Sequence, residues 1–477
     1  LLLVAGAVVY APALLNEYLF ADDYPQFCER QDWRTHMPYG RPLLGALFLL
    51  IPDAPRDLTS FLALRVLSSL LVVTFVWLLW QTVLRRFLFE RAALPATLGC
   101  LALPTFHFCI GASTAYPIVL AACVSLSAGA LAVFVLCYTV NSTTRATIAA
   151  LVAAALLELA CLATYQPAAM CYWLALTPVV MDARFLADAG FRKRAAVAFA
   201  VGAAAIAIYF GVFKLAAMLH WIESPVRAGL TTDIVGKSAW FVEKPLTRAL
   251  SLWGLYEWRY VIACGAVGVL AAGALAARER SDKPADRGVV GRRLTLGSML
   301  LLCYAPVLAT SESWPSYRSL IALSVFVYAL TLAAVHRVYL TLTAASRSVF
   351  AGGCCLTIVA ALIAANRNVA DNLVAVQRIE LDYLLASLGS TRESSAPPRA
   401  VHIVTSPFDR GADFPCRSDE FGVRSASRPR WAIDMTRCAQ RLLGMDETPV
   451  TTSAPGVPAP VDDDVLVVDR NRIRWAR

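Results

Sequence analysis

Long apolar runs separated by short polar breaks fill the first 366 positions of the chain. They lie near 1–16, 60–84, 92–112, 115–138, 147–163, 167–181, 195–219, 249–277, 294–310, 318–340 and 348–366. A helix needs about 20 apolar residues to cross a hydrocarbon core, so the pattern predicts about 11 transmembrane helices. The stretch from 147 to 181 is too long for one span. Tyr165-Gln166-Pro167 interrupts it. Pro167 disfavours helix at Gln166, and the chain is expected to turn back there.

Past residue 366 the pattern changes. Asn366 to Leu388 reads as an amphipathic helix leaving the membrane, and Ser394 to Arg399 as a Ser/Pro linker. Val401 to Thr405 and Val465 to Val468 have the apolar density of short buried strands. The expected fold class is an all-α polytopic membrane protein with a small C-terminal α/β soluble domain. The expected organisation is a transmembrane part at 1–366, an exit helix and linker at 367–399, and a soluble domain at 400–477.

Composition agrees: 58% of residues are hydrophobic and 16% charged, against about a quarter charged in soluble domains. The net charge of +9 in a soluble protein would suggest nucleic acid. Here the basic residues gather in alternate loops, which sets orientation instead, and no nucleic-acid partner is expected. With the first loop placed outside, the inside loops hold Arg85, Arg86 and Arg91, then Arg145, then Arg184, Arg192, Lys193 and Arg194. The basic run Arg278 to Arg293, Arg337 and Arg347 complete that side. Eleven spans then leave the C-terminus outside. The chain begins at Leu1 within an apolar run, which reads as a clipped first span rather than a signal peptide.

Of 13 cysteines, Cys100 to Cys355 account for ten and sit in apolar stretches, as packing residues do. Cys416 and Cys438 fall in the soluble domain on the oxidising side. They form either a disulfide or two thiols, and spacing does not choose between them.

Ionisable residues near a membrane need a reason, and the richest cluster is the first outside loop. It reads Asn16-Glu17-Tyr18-Leu19-Phe20-Ala21-Asp22-Asp23-Tyr24, then Tyr39-Gly40-Arg41-Pro42-Leu43. Adjacent carboxylates raise the proton affinity of at least one of them, which suits a general base. Taken alone, the pair reads equally as a solvated helix end. Arg41 returns a cation to the membrane beside the acids, with the fork that binds planar oxyanions. Tyr165-Gln166 interrupts apolar sequence on the same face; on its own it is a helix break. Glu312-Ser313-Trp314-Pro315-Ser316-Tyr317-Arg318 is a short outside loop ending in an Arg; on its own it is an interfacial aromatic belt with a snorkelling Arg.

The Asp-Asp pair after a Phe/Tyr-rich approach, followed by Gly-Arg-Pro-Leu, resembles the membrane glycosyltransferases of the GT-C class. The nearest resemblance is to the bacterial O-antigen glucosyltransferases of the serotype-conversion type, and Tyr165-Gln166 resembles a pair in that family's middle region. It covers residues 14–50, is patchy to about 320 and is absent beyond 385. The C-terminal domain departs from the small members of the family.

The resemblance implies a multi-pass enzyme of the bacterial inner membrane, with its site and C-terminal domain on the periplasmic side. It would move a sugar, glucose in the nearest relatives, from a polyprenyl-phosphate donor to a glycan or lipid acceptor such as O-antigen. One of Asp22 and Asp23 would be the base of an inverting displacement, with Asp23 slightly preferred, although the resemblance implicates the pair rather than one member. By position, Arg41 and Arg318, with Arg65 third because it sits at the outer end of its span, are the candidates to bind the donor phosphate, and Tyr24, Tyr165, Gln166 and Trp314 to complete the substrate site. Some relatives use a divalent cation such as Mg or Mn; an Asp-Asp pair suits one, but no third protein ligand stands out. No Gly-rich turn follows a strand in the membrane part, which speaks against a nucleotide-sugar donor. The competing reading is a transporter or flippase for a lipid-linked sugar. It would need polar residues at mid-membrane and repeated, broken helices. Glu158 and Lys214 are the mid-span exceptions, and no internal repeat is seen.

Overall fold

The computed structural model describes the chain except residues 21–22, 29–32, 50–57, 87, 89, 140–142, 223–228, 255–286, 393–397, 406–420, 422–428, 446–447, 455–456, 458–464 and 471–477. Helix α1 (Leu2–Leu15) is apolar from end to end and leads into the loop carrying the acidic pair. The short α2 (Tyr24–Cys28) and a 3-10 turn, Trp33–Tyr39, return the chain to α3 (Pro42–Phe48). Pro42 opens α3 where the proline's missing N–H leaves no intrahelical bond unmade. Next come α4 (Leu58–Thr82), α5 (Glu90–Cys100) and α6 (Pro104–Gly111). The apolar end of α5 and all of α6 meet at a bend of 55°, with Pro104 starting the second limb.

The centre of the fold is α7 (Tyr116–Val133) and α8 (Thr144–Ala169). Beyond α8 a 3-10 stretch, Met170–Leu176, passes into α9 (Thr177–Met181), α10 (Ala183–Ala187) and α11 (Ala189–Met218). Thr143, Asp182 and Asp188 cap α8, α10 and α11 by accepting backbone N–H bonds. Residues 144–181 form one nearly unbroken helical stretch of 38 residues, yet it is a hairpin. Tyr165 departs from helical geometry (φ −157°, ψ 102°). Ser125, midway along α7, hydrogen-bonds Glu158 Oε2 at 2.8 Å on one limb and the Ala169 carbonyl on the other. Further along α7, a Cβ at Gly129 would strike the Tyr172 backbone. The chain therefore rises along α7 to Tyr165 and returns. The expected reversal is present, one residue earlier than the Gln166 that Pro167 restricts.

The protein is membrane-embedded, and 81% of its described residues are helical. Among the described residues six helices are long and apolar enough to cross a membrane, seven if the α5–α6 pair is one bent span. The expected count of about 11 is not confirmed. The first apolar run gives a helix of 14 residues. The run 294–310 is split between Arg287–Leu302 and Ala305–Ala309. The run 249–277 lies mostly outside the described residues.

The helix Ala344–Val369 continues through a π turn, Ala370–Val374, into the exit helix Ala375–Arg392. Strands β1 (Ala400–Val404), β2 (Val450–Ser453) and β3 (Val465–Asp469) form a parallel sheet in the order β2-β1-β3. The helix Pro429–Leu442 connects β1 towards β2. His402 on β1 bonds the hydroxyls of Thr451 (2.8 Å) and Ser453 (2.9 Å) on β2.

This domain shares its core with the membrane part. Leu19, Tyr24 and Phe61 are buried together with Leu381, Leu384, Val401, Ile403, Met435 and Cys438. A buried ion pair, Arg470 Nη2 to Glu380 Oε1 at 2.9 Å, ties the end of β3 to the exit helix. Cys438 lies in this core, whereas Cys416, and so any bond between the two, lies outside the described residues.

Candidate functional site

The first loop is anchored by Asp23. Its Oδ2 accepts the backbone N–H groups of Phe20 (3.0 Å) and Ser113 (3.1 Å), and its Oδ1 that of Thr114 (2.9 Å). Ser113 and Thr114 open a 3-10 turn after an extended Ala112, so their N–H groups have no partner within the turn. Asp23 is fully buried. Burial raises its pKa, and the three N–H groups work against that rise. A carboxylate so engaged has little capacity left to take a proton from a substrate, and the converging N–H groups make it a poor cation ligand. Asp22 lies outside the described residues.

Tyr18 donates to the Gly111 carbonyl at 3.0 Å and carries the Arg65 guanidinium over its ring at 4.1 Å. Arg65 is fully buried, and its side-chain nitrogens have no hydrogen-bond acceptor among the described residues. Tyr24 sits in the core shared with the C-terminal domain.

The return of the loop is built around Gly40. Its φ of +68° favours glycine, and a Cβ there would lie 2.7 Å from the Tyr209 hydroxyl and 3.1 Å from Gln166 Nε2. Gln166 locks this turn to α8. Its Nε2 donates to the Gly40 carbonyl at 2.7 Å, and its Oε1 accepts from Arg41 Nε at 3.2 Å. The Tyr209 hydroxyl also donates to the Gly40 carbonyl. The Arg41 guanidinium lies over the Tyr165 ring, 4.5 Å from its centroid. The break at Tyr165 thus puts two adjacent residues to work on one arginine, one by its ring and one by its amide.

Two cavities share this arginine in their walls. One, about 110 Å³, is lined by Gln166, Tyr209, Phe213, Lys214, Glu312 and Trp314 among others. The other, about 290 Å³, is lined by Gln26, His36, Phe108, Thr114, Arg430 and Trp431 among others. Tyr39, Arg41, Tyr165 and Arg318 line both. The loop 312–318 is held by carbonyl acceptors: Lys237 donates to Glu312, Arg248 to Pro315, and the Tyr304 hydroxyl to Trp314 at 3.3 Å. Arg318 lies over the Phe108 ring at 5.5 Å.

Of the residues singled out in the sequence, Arg41, Tyr165, Gln166, Trp314 and Arg318 are brought together. Asp23 is joined to the wall of the larger cavity through Thr114, which lines it. Tyr24 and Arg65 line neither cavity. Tyr209, Gln26, His36, Arg430 and Trp431 were not anticipated. Lys214 had stood out as an ionisable residue within a span, without a place. A larger cavity of about 510 Å³ lies towards the other end of α11, lined mainly by apolar residues such as Leu176, Val180 and Phe199. Arg192 of the inside basic cluster lines it, and none of Asp23, Arg41 and Arg318 does. Among the described residues no three of His, Cys, Asp and Glu come together as a metal site.

Comparison of the chain with protein-family models, with curated proteins and with solved structures finds no match.

Proposed function

We propose that this protein is a membrane glycosyltransferase that moves a sugar from a polyprenyl-phosphate donor to an acceptor at the outer face of a bacterial inner membrane. The observation that carries the reading is the pair of neighbouring cavities that share Arg41 and Arg318 in their walls. Two cations on aromatic faces in the wall shared by two cavities suit a phosphate that is the leaving group between donor and acceptor.

The smaller cavity adjoins α11, whose Ile208 and Val212 are exposed on the outer surface of the helix bundle. A polyprenyl tail would run along that helix in lipid while its phosphate reaches the arginines. The acceptor would enter the larger cavity, beside the acidic loop. Its hydroxyl attacks the anomeric carbon, and the bond to the phosphate oxygen breaks on the opposite face, so the anomeric centre inverts. The hydroxyl proton passes to a carboxylate, and the new negative charge on the phosphate is held by Arg41 and Arg318.

Asp22 is assigned as the base. Its neighbour Asp23 is saturated by backbone N–H groups, which leaves Asp22 as the carboxylate of the pair for that role. The test is transfer from radiolabelled undecaprenyl-phosphate-glucose to membrane glycans by the purified chain. Asp22→Asn is expected to lose turnover while still binding donor. Movement of label between leaflets with no glycosidic product would instead support the flippase reading.

A further inference from the structure

The C-terminal domain contributes two residues to the larger cavity. Arg430 and Trp431 stand in the first turn of the helix Pro429–Leu442 and share the cavity wall with Gln26 and His36 of the first loop. The helix is fixed there: Met435 and Cys438 are buried with Tyr24 and Phe61, and Arg470 is paired to Glu380.

The charges in this wall are one-sided. Among its described residues are Arg41, Arg318 and Arg430, and no Asp or Glu. Arg41 and Arg318 also line the donor-side cavity, whereas Arg430 does not. With the first two on the donor phosphate, one exposed guanidinium, that of Arg430, is left on the acceptor side. Trp431 is next to it and half-buried. An indole packs against the C–H face of a sugar ring, and a guanidinium forks onto a carboxylate or phosphate. A neutral acceptor sugar would need no third arginine.

We infer that the C-terminal domain forms an acceptor subsite for a sugar bearing an anionic group, with Trp431 against the ring and Arg430 on the anion. The inference rests on the transferase reading. The anion is a carboxylate of a uronic acid or a phosphate ester, and the two share the oxyanion that Arg430 recognises.

The experiment is ligand-observed saturation-transfer NMR on the full chain in lipid nanodiscs. The probes are methyl glucuronide, glucose 6-phosphate and neutral methyl glucoside, with undecaprenyl-phosphate binding measured separately. The wild type is expected to bind at least one anionic probe in clear preference to methyl glucoside, and the one it prefers identifies the source of the anion. Arg430→Gln should weaken that binding roughly tenfold or more, the loss of a charge-assisted bond, and leave undecaprenyl-phosphate binding as in the wild type. Trp431→Ala should weaken all three sugars alike. Arg430→Lys keeps the charge without the fork and should fall between wild type and Arg430→Gln, so the proposal stays testable if the glutamine variant folds poorly. Equal binding of charged and neutral probes by the wild type, or no binding of any, overturns the subsite. So does an Arg430→Gln variant that binds the anionic probes normally, or one whose loss is shared by undecaprenyl phosphate. Failure of the wild type to bind undecaprenyl phosphate at all counts against the transferase reading, whereas the sugar arms still report on the subsite.

Discussion

Asparagine at position 23 should damage the fold before it damages chemistry. Both Asp23 oxygens are in use, with N–H donors at 3.0, 3.1 and 2.9 Å. Asp23→Asn keeps one acceptor oxygen and turns an NH2 group towards at least one backbone N–H. A buried donor left without an acceptor costs about 1–3 kcal/mol, and a hydrogen bond to a charged group contributes about 1.5–3 kcal/mol. Part of this is offset because asparagine does not have to be buried as an ion. Burial is the larger influence on the Asp23 pKa and raises it, so the net loss should sit near the low end, about 2 kcal/mol. The sign with pH follows. A carboxyl whose folded pKa is raised contributes stability that is fully present below its unfolded pKa and is lost as pH rises through the folded value. The advantage of wild type over Asp23→Asn should therefore shrink as pH rises from about 4. The assay is the fraction of detergent-solubilised protein that stays monodisperse after heating, across pH. Asp22→Asn, by contrast, should keep wild-type thermal stability and lose turnover by about 10²–10⁴-fold, the usual contribution of a general base. An Asp23→Asn variant as stable as wild type and inactive, together with an active Asp22→Asn, would refute the assignment of anchor and base.

Arg41→Ala and Arg318→Ala should each weaken undecaprenyl-phosphate binding by about 10–100-fold with normal protein yield, and Arg41→Lys should recover only part of it because the fork is lost. Normal donor binding in both alanine variants would remove these residues from the site. Gln166→Leu strips the Gly40 carbonyl and Arg41 Nε of a partner; donor affinity should fall several-fold while the spans stay intact, and an unchanged affinity would show that Arg41 is held without it. Glu380→Gln leaves Arg470 buried without its counter-charge and should cost about 3–5 kcal/mol, read as lowered thermal stability, with a double-mutant cycle to Arg470→Met recovering much of it. Removing residues 395–477 should depress donor binding as well as transfer, because Leu19, Tyr24 and Phe61 lose the core they share with that domain; normal donor binding by the truncated chain would show that the acidic loop stands without it.

The residues that could be found from the sequence are those whose signal is local. Apolar runs of helical length announce most of the long helices, because burial in lipid is decided residue by residue. Tyr165-Gln166-Pro167 was legible because a proline constrains its own neighbourhood. Arg41 and Arg318 were legible because a charge at the edge of an apolar run is conspicuous. What escaped depends on groups far apart in the chain. Asp23 looks no different from its neighbour in sequence; its role as an anchor comes from the backbone of Ser113 and Thr114, 90 and 91 residues away, which turns its N–H groups onto it. Arg65, a candidate phosphate ligand by its position in a span, is spent on the Tyr18 ring instead. β2 reads Val-Thr-Thr-Ser, too polar for an apolar pattern; what its side chains offer is hydroxyls to His402 on the neighbouring strand. Trp431 opens an apolar stripe with Met435, Cys438 and Leu442 that marks the helix, but nothing local says where its first turn lies; Arg430 and Trp431 reach the cavity because a core assembled from three distant segments docks their helix on the first loop. That docking makes the site a joint product of the membrane bundle and the domain beyond it. A change in the C-terminal domain should therefore be able to alter the acceptor without touching a single span.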